Sequence, residues 1–207
     1  MNVGNSVRFA IDAWERRELE GAMLHACNAV DGTARKLFPA QGNKERFTRI
    51  LRENYEILGP MGANGINVVM QRFPVSINGP TTPDGRPDLA DVLYGVHRCT
   101  HAHGDELPNG FDLVPDAHLP SGEWHMAIER GKVRFSDRMI FGLLAVAVFS
   151  PINADQNIPD SYYLMYGRSP EKLFIVKWWG RAADFPAMLA KDPPPNPLTV
   201  LEFNNWG

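Results

Sequence analysis

A short segment, residues 98–106, carries the densest group of reactive side chains in this sequence. Its letters, RCTHAHGDE, include an arginine, a cysteine, two histidines and two acids, and another histidine, His97, comes directly before it. The whole chain of 207 residues holds only six histidines. Side chains of these types move protons, bind metal ions or hold a phosphate. We therefore expect the functional site to lie at residues 98–106.

Arg98 and His103 form the first candidate pair in this segment. Histidine has a pKa of about 6.5, so it exchanges protons near neutral pH, and arginine offers a phosphate a planar, permanently charged partner. Together they suit RNA cleavage by its own 2′-hydroxyl, without a metal ion or cofactor. Five positions on a straight α-helix rotate by about 140°. The two side chains therefore converge only if the helix ends or distorts there, or if two subunits meet across a dimer axis.

His101, His103 and Asp105 form an alternative, metal-binding set. Residues 100–106 resemble the THxHxDH motif of the metallo-β-lactamase superfamily, in which histidines and an aspartate hold zinc or iron and the metal activates a water. Glu106 stands where that motif ends in histidine. This resemblance implies a metal-dependent hydrolase, which we keep as an alternative function.

Two helical regions precede the reactive segment. Apolar side chains recur at three- and four-residue steps over residues 6–38, which predicts one long helix or two consecutive ones, with Ser6 as the N-cap. The same pattern predicts a helix over residues 44–58, ended by the Gly–Pro pair at 59–60. We expect these helices to support residues 98–106.

The middle of the chain alternates between irregular and regular structure. Residues 59–87 are rich in glycine and proline, which predicts an irregular insertion. Pro87 then suits the first turn of a third helix that leads into the reactive segment. Beyond it, alternating apolar residues predict a β-hairpin near residues 124–135, and residues 138–149 predict a buried helix.

The last quarter of the chain, residues 151–207, predicts a β-rich extension packed on the same domain. Residues 162–166 and 173–179 suggest a second hairpin, residues 182–191 a last helix, and the proline-rich residues 193–197 a stiff linker to a strand-like end. The sequence thus predicts a mainly α-helical chain with added β-hairpins, α+β overall.

The amino-acid composition indicates which class of protein this is and which partners it can bind. The chain is 44% hydrophobic and 22% charged, as in ordinary globular proteins. Its formal net charge of −3 argues against a broad nucleic-acid-binding surface, which generally has a basic face. If RNA is the partner, its site must be local.

The same sequence suggests a cytoplasmic location without a membrane partner. The longest apolar run, residues 139–149, is about half of the ~20 residues that a membrane span needs. Residues 1–8 lack the basic and apolar pattern of a secretory signal. Cys27 and Cys99 lie far apart in the sequence and are most simply reduced thiols.

Residues 93–103, with the letters LYGVHRCTHAH, resemble the signature of HEPN domains. In that signature an arginine on a late helix is followed, after four to six residues, by a histidine. The first helical stretch is also similar to the long first helix of some HEPN-like proteins, so the resemblance covers roughly the first half of the chain. We expect residues 1–150 to form a HEPN-like helical domain.

The HEPN resemblance implies a function and a set of site residues. It implies a homodimeric, metal-independent RNA endonuclease of the toxin or defence type, for which an antitoxin is a candidate partner. Arg98 would hold the scissile phosphate and His103 would transfer a proton. The remaining polar residues would have supporting roles: Cys99, Thr100, His101 and Asp31. Cys99 stands where the family often has asparagine or another polar residue. A catalytically silent module that binds nucleotide or protein is the second alternative.

Overall fold

The computed structural model describes residues 2–98, 108–118, 126–166, 171–193 and 198–203. Within these ranges the chain is mainly helical with two small sheets, which confirms the predicted α+β class. The α-helices are α1 (Val3–Glu15), α2 (Leu19–Leu37), α3 (Asn43–Glu53), α4 (Tyr55–Gly62), α5 (Leu89–Val92), α6 (Arg138–Phe149) and α7 (Phe185–Leu189). A π-helix, Leu93–Arg98, continues α5, and 3₁₀ helices cover Asp116–His118, Pro151–Asn153, Ile175–Lys177 and Ala182–Asp184. The strands are β1 (Phe111–Val114), β2 (Met126–Glu129), β3 (Lys132–Ser136), β4 (Tyr163–Met165) and β5 (Lys172–Phe174).

The first helical region consists of two helices packed against each other. The break lies between Glu15 and Leu19, where Arg17 takes a left-handed conformation with φ of 65°. Asn2 caps α1, since its Oδ1 accepts a hydrogen bond of 3.1 Å from the backbone N–H of Asn5. The prediction of Ser6 as the N-cap is therefore wrong. Ser6 lies inside α1 and is buried. The helix begins one turn earlier, where the side-chain oxygen of Asn2 accepts a backbone N–H group.

The second helical region also divides, at Asn54, into α3 and α4. The predicted stop at residues 59–60 is wrong, because α4 continues through Pro60 to Gly62. Proline removes one intrahelical hydrogen bond, but close packing on α6 holds this helix. Gly62 and Gly142 meet backbone to backbone, and a Cβ atom on Gly142 would lie 2.9 Å from the Cα of Gly62.

The core is centred on α6, which packs against α1, α2 and α4. Every residue from Met139 to Phe149 is buried, as the unbroken apolar run predicted. In the part of the chain that the structure describes, no helix has both the length and the apolar character needed to cross a bilayer.

Two small sheets flank the helices. In the first, β3 is central, pairing parallel with β1 and antiparallel with β2. In the second, β4 and β5 pair antiparallel. The chain leaves the strand conformation at Ile175 and forms a 3₁₀ helix, so the strand predicted over residues 173–179 is too long. This turn brings the ring of Trp178 to 4.9 Å from that of the buried Phe149, a contact that a straight strand pattern does not predict.

Candidate functional site

Of the predicted catalytic pair, Arg98 belongs to the helix formed by α5 and the π-helix, and His103 lies outside the described residues. Arg98 is the last residue of Leu93–Arg98, and its backbone is described while its side chain is not. The other predicted site residues of the segment lie outside the described residues: Cys99, Thr100, His101, His103 and Asp105. Of the predicted set, Asp31 has a described side chain. The structure therefore describes the helices that lead to residues 98–106 and support them.

The helix that delivers Arg98 begins with a side-chain cap. Asp88 is the N-cap of α5, and its Oδ1 accepts a hydrogen bond of 3.0 Å from the backbone N–H of Asp91. After one α-helical turn the backbone changes to a π-helix over Leu93–Arg98. A π-helix forms i→i+5 hydrogen bonds, and such segments are frequent at functional sites. The helix is thus already distorted where it reaches Arg98.

A buried ionic cluster fixes the start of this helix to α3. The Nε and Nη2 atoms of Arg52 donate to the two carboxylate oxygens of Asp88 at 2.7 and 2.9 Å. Nη2 also lies 2.9 Å from the Oδ2 of Asp91, which is fully buried. Thr81 joins the cluster by accepting from Arg52 Nη1 at 2.8 Å and donating to Asp91 at 2.7 Å. One guanidinium therefore binds both acids of the first turn of α5.

Tyr55, from the start of α4, completes the cluster. Its hydroxyl accepts a hydrogen bond of 3.0 Å from the backbone N–H of Ala90. Burial, with a smaller contribution from the charge of Asp88, raises the pKa of Tyr55 well above its ordinary value. Burial also raises the pKa of Asp88, but the hydrogen bonds from Arg52 and from the N–H of Asp91 outweigh it, so this pKa is lowered overall. Asp88 therefore stays ionised, and the cluster positions the helix.

None of the four residues Arg52, Tyr55, Asp88 and Asp91 was among the predicted site residues. One signal for them was present, since Asp88 directly before the first apolar residue of a helix is a typical N-cap. Arg52 gave none. It lies 36 positions from Asp88, and its contact exists only because α3 packs beside α5.

Asp31, predicted as a supporting residue, lies at the contact between α2 and α3. Its Oδ1 accepts from the Nε and Nη2 atoms of Arg46 at 3.2 and 3.1 Å. Both side chains are largely buried, 13% and 11% exposed. Because α2 and α3 both pack against the π-helix, this ion pair joins two of the elements that support Arg98.

A shallow groove with charges of both signs runs along α3 beside the same helix. Its volume is about 500 Å³. The ammonium group of Lys44 lies 5.9 Å from the ring centroid of Tyr94, a residue of the π-helix, and donates to the carbonyls of Asn78 and Gly79. The residues that line the groove are Lys44, Glu45, Thr48, Arg49, Arg52, Glu53 and Thr81. Lys44 thus lies close to the helix of Arg98, whereas Arg49 and Arg52 are each paired with an acid.

Within the described ranges, no three or more histidine, cysteine, aspartate or glutamate side chains form a group able to hold a metal ion. The alternative ligands His101, His103 and Asp105 lie outside those ranges.

Comparison with known proteins places the chain in a family. The Rv1289 family model matches residues 2–207. Uncharacterized protein Rv1289 of Mycobacterium tuberculosis is 40% identical over 210 residues, an alignment that covers 100% of this chain and 97% of that protein. Uncharacterized protein Mb1320 of Mycobacterium bovis matches with the same identity and coverage. No solved structure matches the chain. The chain therefore belongs to the Rv1289 family.

Proposed function

We propose that the protein is a metal-independent RNA endonuclease of the HEPN type. Arg98 holds the scissile phosphate and His103 transfers a proton. The observation that carries the proposal is the helix leading to Arg98. That helix is fixed at its first turn by Arg52 and Tyr55 and becomes a π-helix over Leu93–Arg98.

The chemistry requires little more than these two residue types. A neutral imidazole removes the proton of the 2′-hydroxyl, the 2′-oxygen attacks the adjacent phosphorus, and the bond to the 5′-oxygen breaks. A protonated imidazole supplies a proton to that 5′-oxygen. The products are a 2′,3′-cyclic phosphate and a 5′-hydroxyl. Arg98 stabilises the charge that develops on the phosphoryl oxygens.

A homodimer supplies both imidazoles at one site. In a two-fold arrangement the same surface of each subunit meets its copy, so that two His103 side chains face one phosphate. One acts as the base and the other as the acid. This arrangement also removes the angular problem that separates Arg98 from His103 on a single straight helix.

An RNA substrate requires positively charged groups near the site. A chain with net charge −3 needs a local cluster of positive groups to attract a phosphate backbone. The groove along α3 is lined by Lys44, Arg49 and Arg52 together with Glu45 and Glu53. Arg49 pairs with Glu53, and Arg52 pairs with Asp88 and Asp91, so Lys44, which lies beside Tyr94 of the π-helix, is the cation that we propose for contact with a phosphate. We propose that an RNA strand approaches the end of the π-helix along this groove.

The test is cleavage of a mixed, end-labelled RNA pool in excess EDTA. We expect wild type to cleave, His103→Ala to lose activity by about 10²-fold or more, and Arg98→Lys to lose activity because lysine lacks the planar fork. His118→Ala is the matched control, since His118 is an exposed histidine outside the segment. It should cleave like wild type.

Two outcomes would replace the proposal. Cleavage that occurs only without EDTA would favour the metal-dependent hydrolase with His101, His103 and Asp105 as ligands. RNA binding without cleavage in either condition would favour the catalytically silent binding module.

A further inference from the structure

The C-terminal segment, residues 198–203, is joined to the stretch after α4 by a parallel β-bridge between Ile66 and Thr199. The N–H of Thr199 donates to the carbonyl of Gly65 at 2.9 Å, and its carbonyl accepts from the N–H of Asn67 at 2.8 Å. Both backbone groups of Thr199 are therefore used within the chain.

Leu201, two positions further along, is also bonded within the chain, through a side chain. The Oε1 atom of Gln71 accepts from the N–H of Leu201 at 2.9 Å, and its Nε2 atom donates to the carbonyl of Leu201 at 3.1 Å. Gln71 is fully buried, so its amide holds the segment in the way that a neighbouring strand would. Because the backbone groups of alternate residues in an extended chain point to the same side, residues 199 and 201 define the bonded side of the segment.

The intervening residues of the segment, Leu198, Val200 and Glu202, direct their backbone groups to the opposite side. None of the three has a backbone hydrogen bond to another residue that the structure describes. All three are exposed, and Leu198 and Val200 are each 40% exposed. A row of unpaired N–H and C=O groups of this kind is a template for a further strand.

Exposed apolar side chains lie beside this open edge. The turn that follows Asn67 carries Val69 and Met70, which are more than half exposed. Val69 and Leu198 line the same cavity, so the exposed apolar surface of the turn continues onto the C-terminal segment. Contiguous exposed apolar surface of this kind marks a site of interaction with another protein surface.

We propose that the open edge of residues 198–202 pairs with the same edge of a second copy of the chain, antiparallel, across a two-fold axis at Val200. In this register Val200 lies opposite Val200 of the second copy, and Leu198 lies opposite Glu202. Each opposing pair exchanges two N–H···O bonds, so the free backbone groups of all three residues are satisfied. A two-fold interface joins identical surfaces, and the alternation of bonded and free residues makes this segment complementary to its own copy.

Charge and hydrogen bonding select this register over its neighbours. With the axis at Val200, Glu202 lies opposite an apolar residue. An axis at Glu202 would place two carboxylates directly opposite each other, which destabilises a sheet. A shift by one residue would present Thr199 and Leu201, whose backbone groups are already bonded.

The experiment combines sedimentation equilibrium of the full chain with backbone amide hydrogen exchange followed by NMR. Wild type should self-associate, and the N–H groups of Leu198, Val200 and Glu202 should be protected in the associated state. Val200→Pro removes the outward N–H and leaves the bonds of its two neighbours in place. It should weaken self-association by about tenfold or more and release the N–H groups of Leu198 and Glu202. Val200→Thr, the matched control, keeps the N–H and the β-branched shape and should behave like wild type.

Three results would overturn the proposal: a wild type that stays monomeric at millimolar concentration, fast exchange of the three N–H groups in the associated state, or self-association of Val200→Pro as tight as that of wild type. Proline is tolerated at a sheet edge where the N–H faces solvent, and continued protection of Thr199 and Leu201 verifies that the segment stays in place. Glu202→Pro is a second variant of the same design. The measurements use no RNA, so their outcome is distinguishable from failure of the ribonuclease proposal.

Discussion

The side chains of Arg52 and Asp88 are joined by two hydrogen bonds, of 2.7 and 2.9 Å. This bidentate pair connects α3 to the N-cap of the helix that leads to Arg98. Charge-assisted, bidentate pairs are the strong ones among hydrogen bonds. The side chain of Asp88 is 6% exposed, and that of Asp91, which the same guanidinium contacts, is fully buried. The position of the helix leading to Arg98 therefore depends on Arg52.

Replacing Arg52 is expected to destabilise the fold strongly. Arg52→Met keeps the volume of the side chain and leaves two buried carboxylates without their cation. Removing one partner of a buried ion pair costs about 3 kcal/mol or more. Urea denaturation should show this loss in the free energy of unfolding.

Arg49→Met is the matched control for Arg52, because Arg49 also belongs to α3 and also pairs with an acid. Its partner is Glu53, and the two side chains are 46% and 50% exposed. Exposed pairs contribute about 1 kcal/mol or less. Equal losses for the two variants would contradict the buried cluster as the anchor of the helix.

Acid should weaken the fold through Asp88. Its pKa is lowered in the folded protein from about 3.9 in the unfolded chain. The stability that follows from this shift is fully present above pH ~4 and is lost as the pH falls through the folded pKa. Asp88→Asn should therefore be less stable at pH 7 and show a shallower loss of stability below pH ~4, measured by thermal melts across the acid range.

Asp84→Asn controls for the acid experiment. The pKa of Asp84 is also lowered, chiefly by the backbone N–H of Arg86, but its side chain is exposed. This variant should retain most of the stability of wild type at pH 7. An acid profile of Asp88→Asn that runs parallel to that of wild type would contradict the assigned role of Asp88.

Tyr55→Phe should destabilise the fold by about 1–3 kcal/mol, the usual penalty for a buried donor left without an acceptor. The variant removes the hydroxyl that accepts from the N–H of Ala90 and leaves the ring in place. Tyr163→Phe, at a half-buried tyrosine, should change the free energy of unfolding much less. Guanidinium denaturation of both variants distinguishes them, and equal effects would count against the Tyr55–Ala90 contact.

The crossing of α4 and α6 should not tolerate a methyl group. A Cβ atom on Gly142 would lie 2.9 Å from the Cα of Gly62 and 3.0 Å from the Cδ1 of Leu58. Gly142→Ala should therefore destabilise by roughly 1–3 kcal/mol through overpacking. Gly21→Ala in α2 should be neutral or stabilising by up to about 1 kcal/mol, because its Cβ would meet its nearest neighbour at 3.8 Å. Thermal melts that rank the two variants in the opposite order would contradict this packing.

Strong local patterns in the sequence predicted much of the fold. The unbroken apolar run over residues 139–149 lies in α6, which has the predicted bounds Arg138–Phe149. Leu93 and Val96, in the π-helix that continues the third helix, are buried. The first and last residues of a helix were less predictable where two sequence signals compete. Asn2 rather than Ser6 caps α1, and packing at Gly62 carries α4 past Pro60.

Only those features of the candidate site that depend on neighbouring residues in the sequence were predictable. A third helix leading into residues 98–106 was predicted and is present as α5 and the π-helix. The predicted place of Pro87 in its first turn is wrong, because the side chain of Asp88 caps the helix and the first helical residue is Leu89. The anchoring by Arg52 and Tyr55 was not predictable, because those residues reach α5 only after the chain has folded back across the irregular stretch after α4. Tertiary contacts of this kind leave no periodicity in a single sequence.

The most direct test of the proposed chemistry compares two RNA oligonucleotides in excess EDTA. One is all-ribose, and the other carries a single 2′-deoxyribose at the mapped cleavage position. If the 2′-hydroxyl is the nucleophile and His103 its base, wild type cleaves only the first, leaves 2′,3′-cyclic phosphate and 5′-hydroxyl ends, and loses this activity in His103→Ala. Equal cleavage of both oligonucleotides, or products with 5′-phosphate ends, would contradict the account.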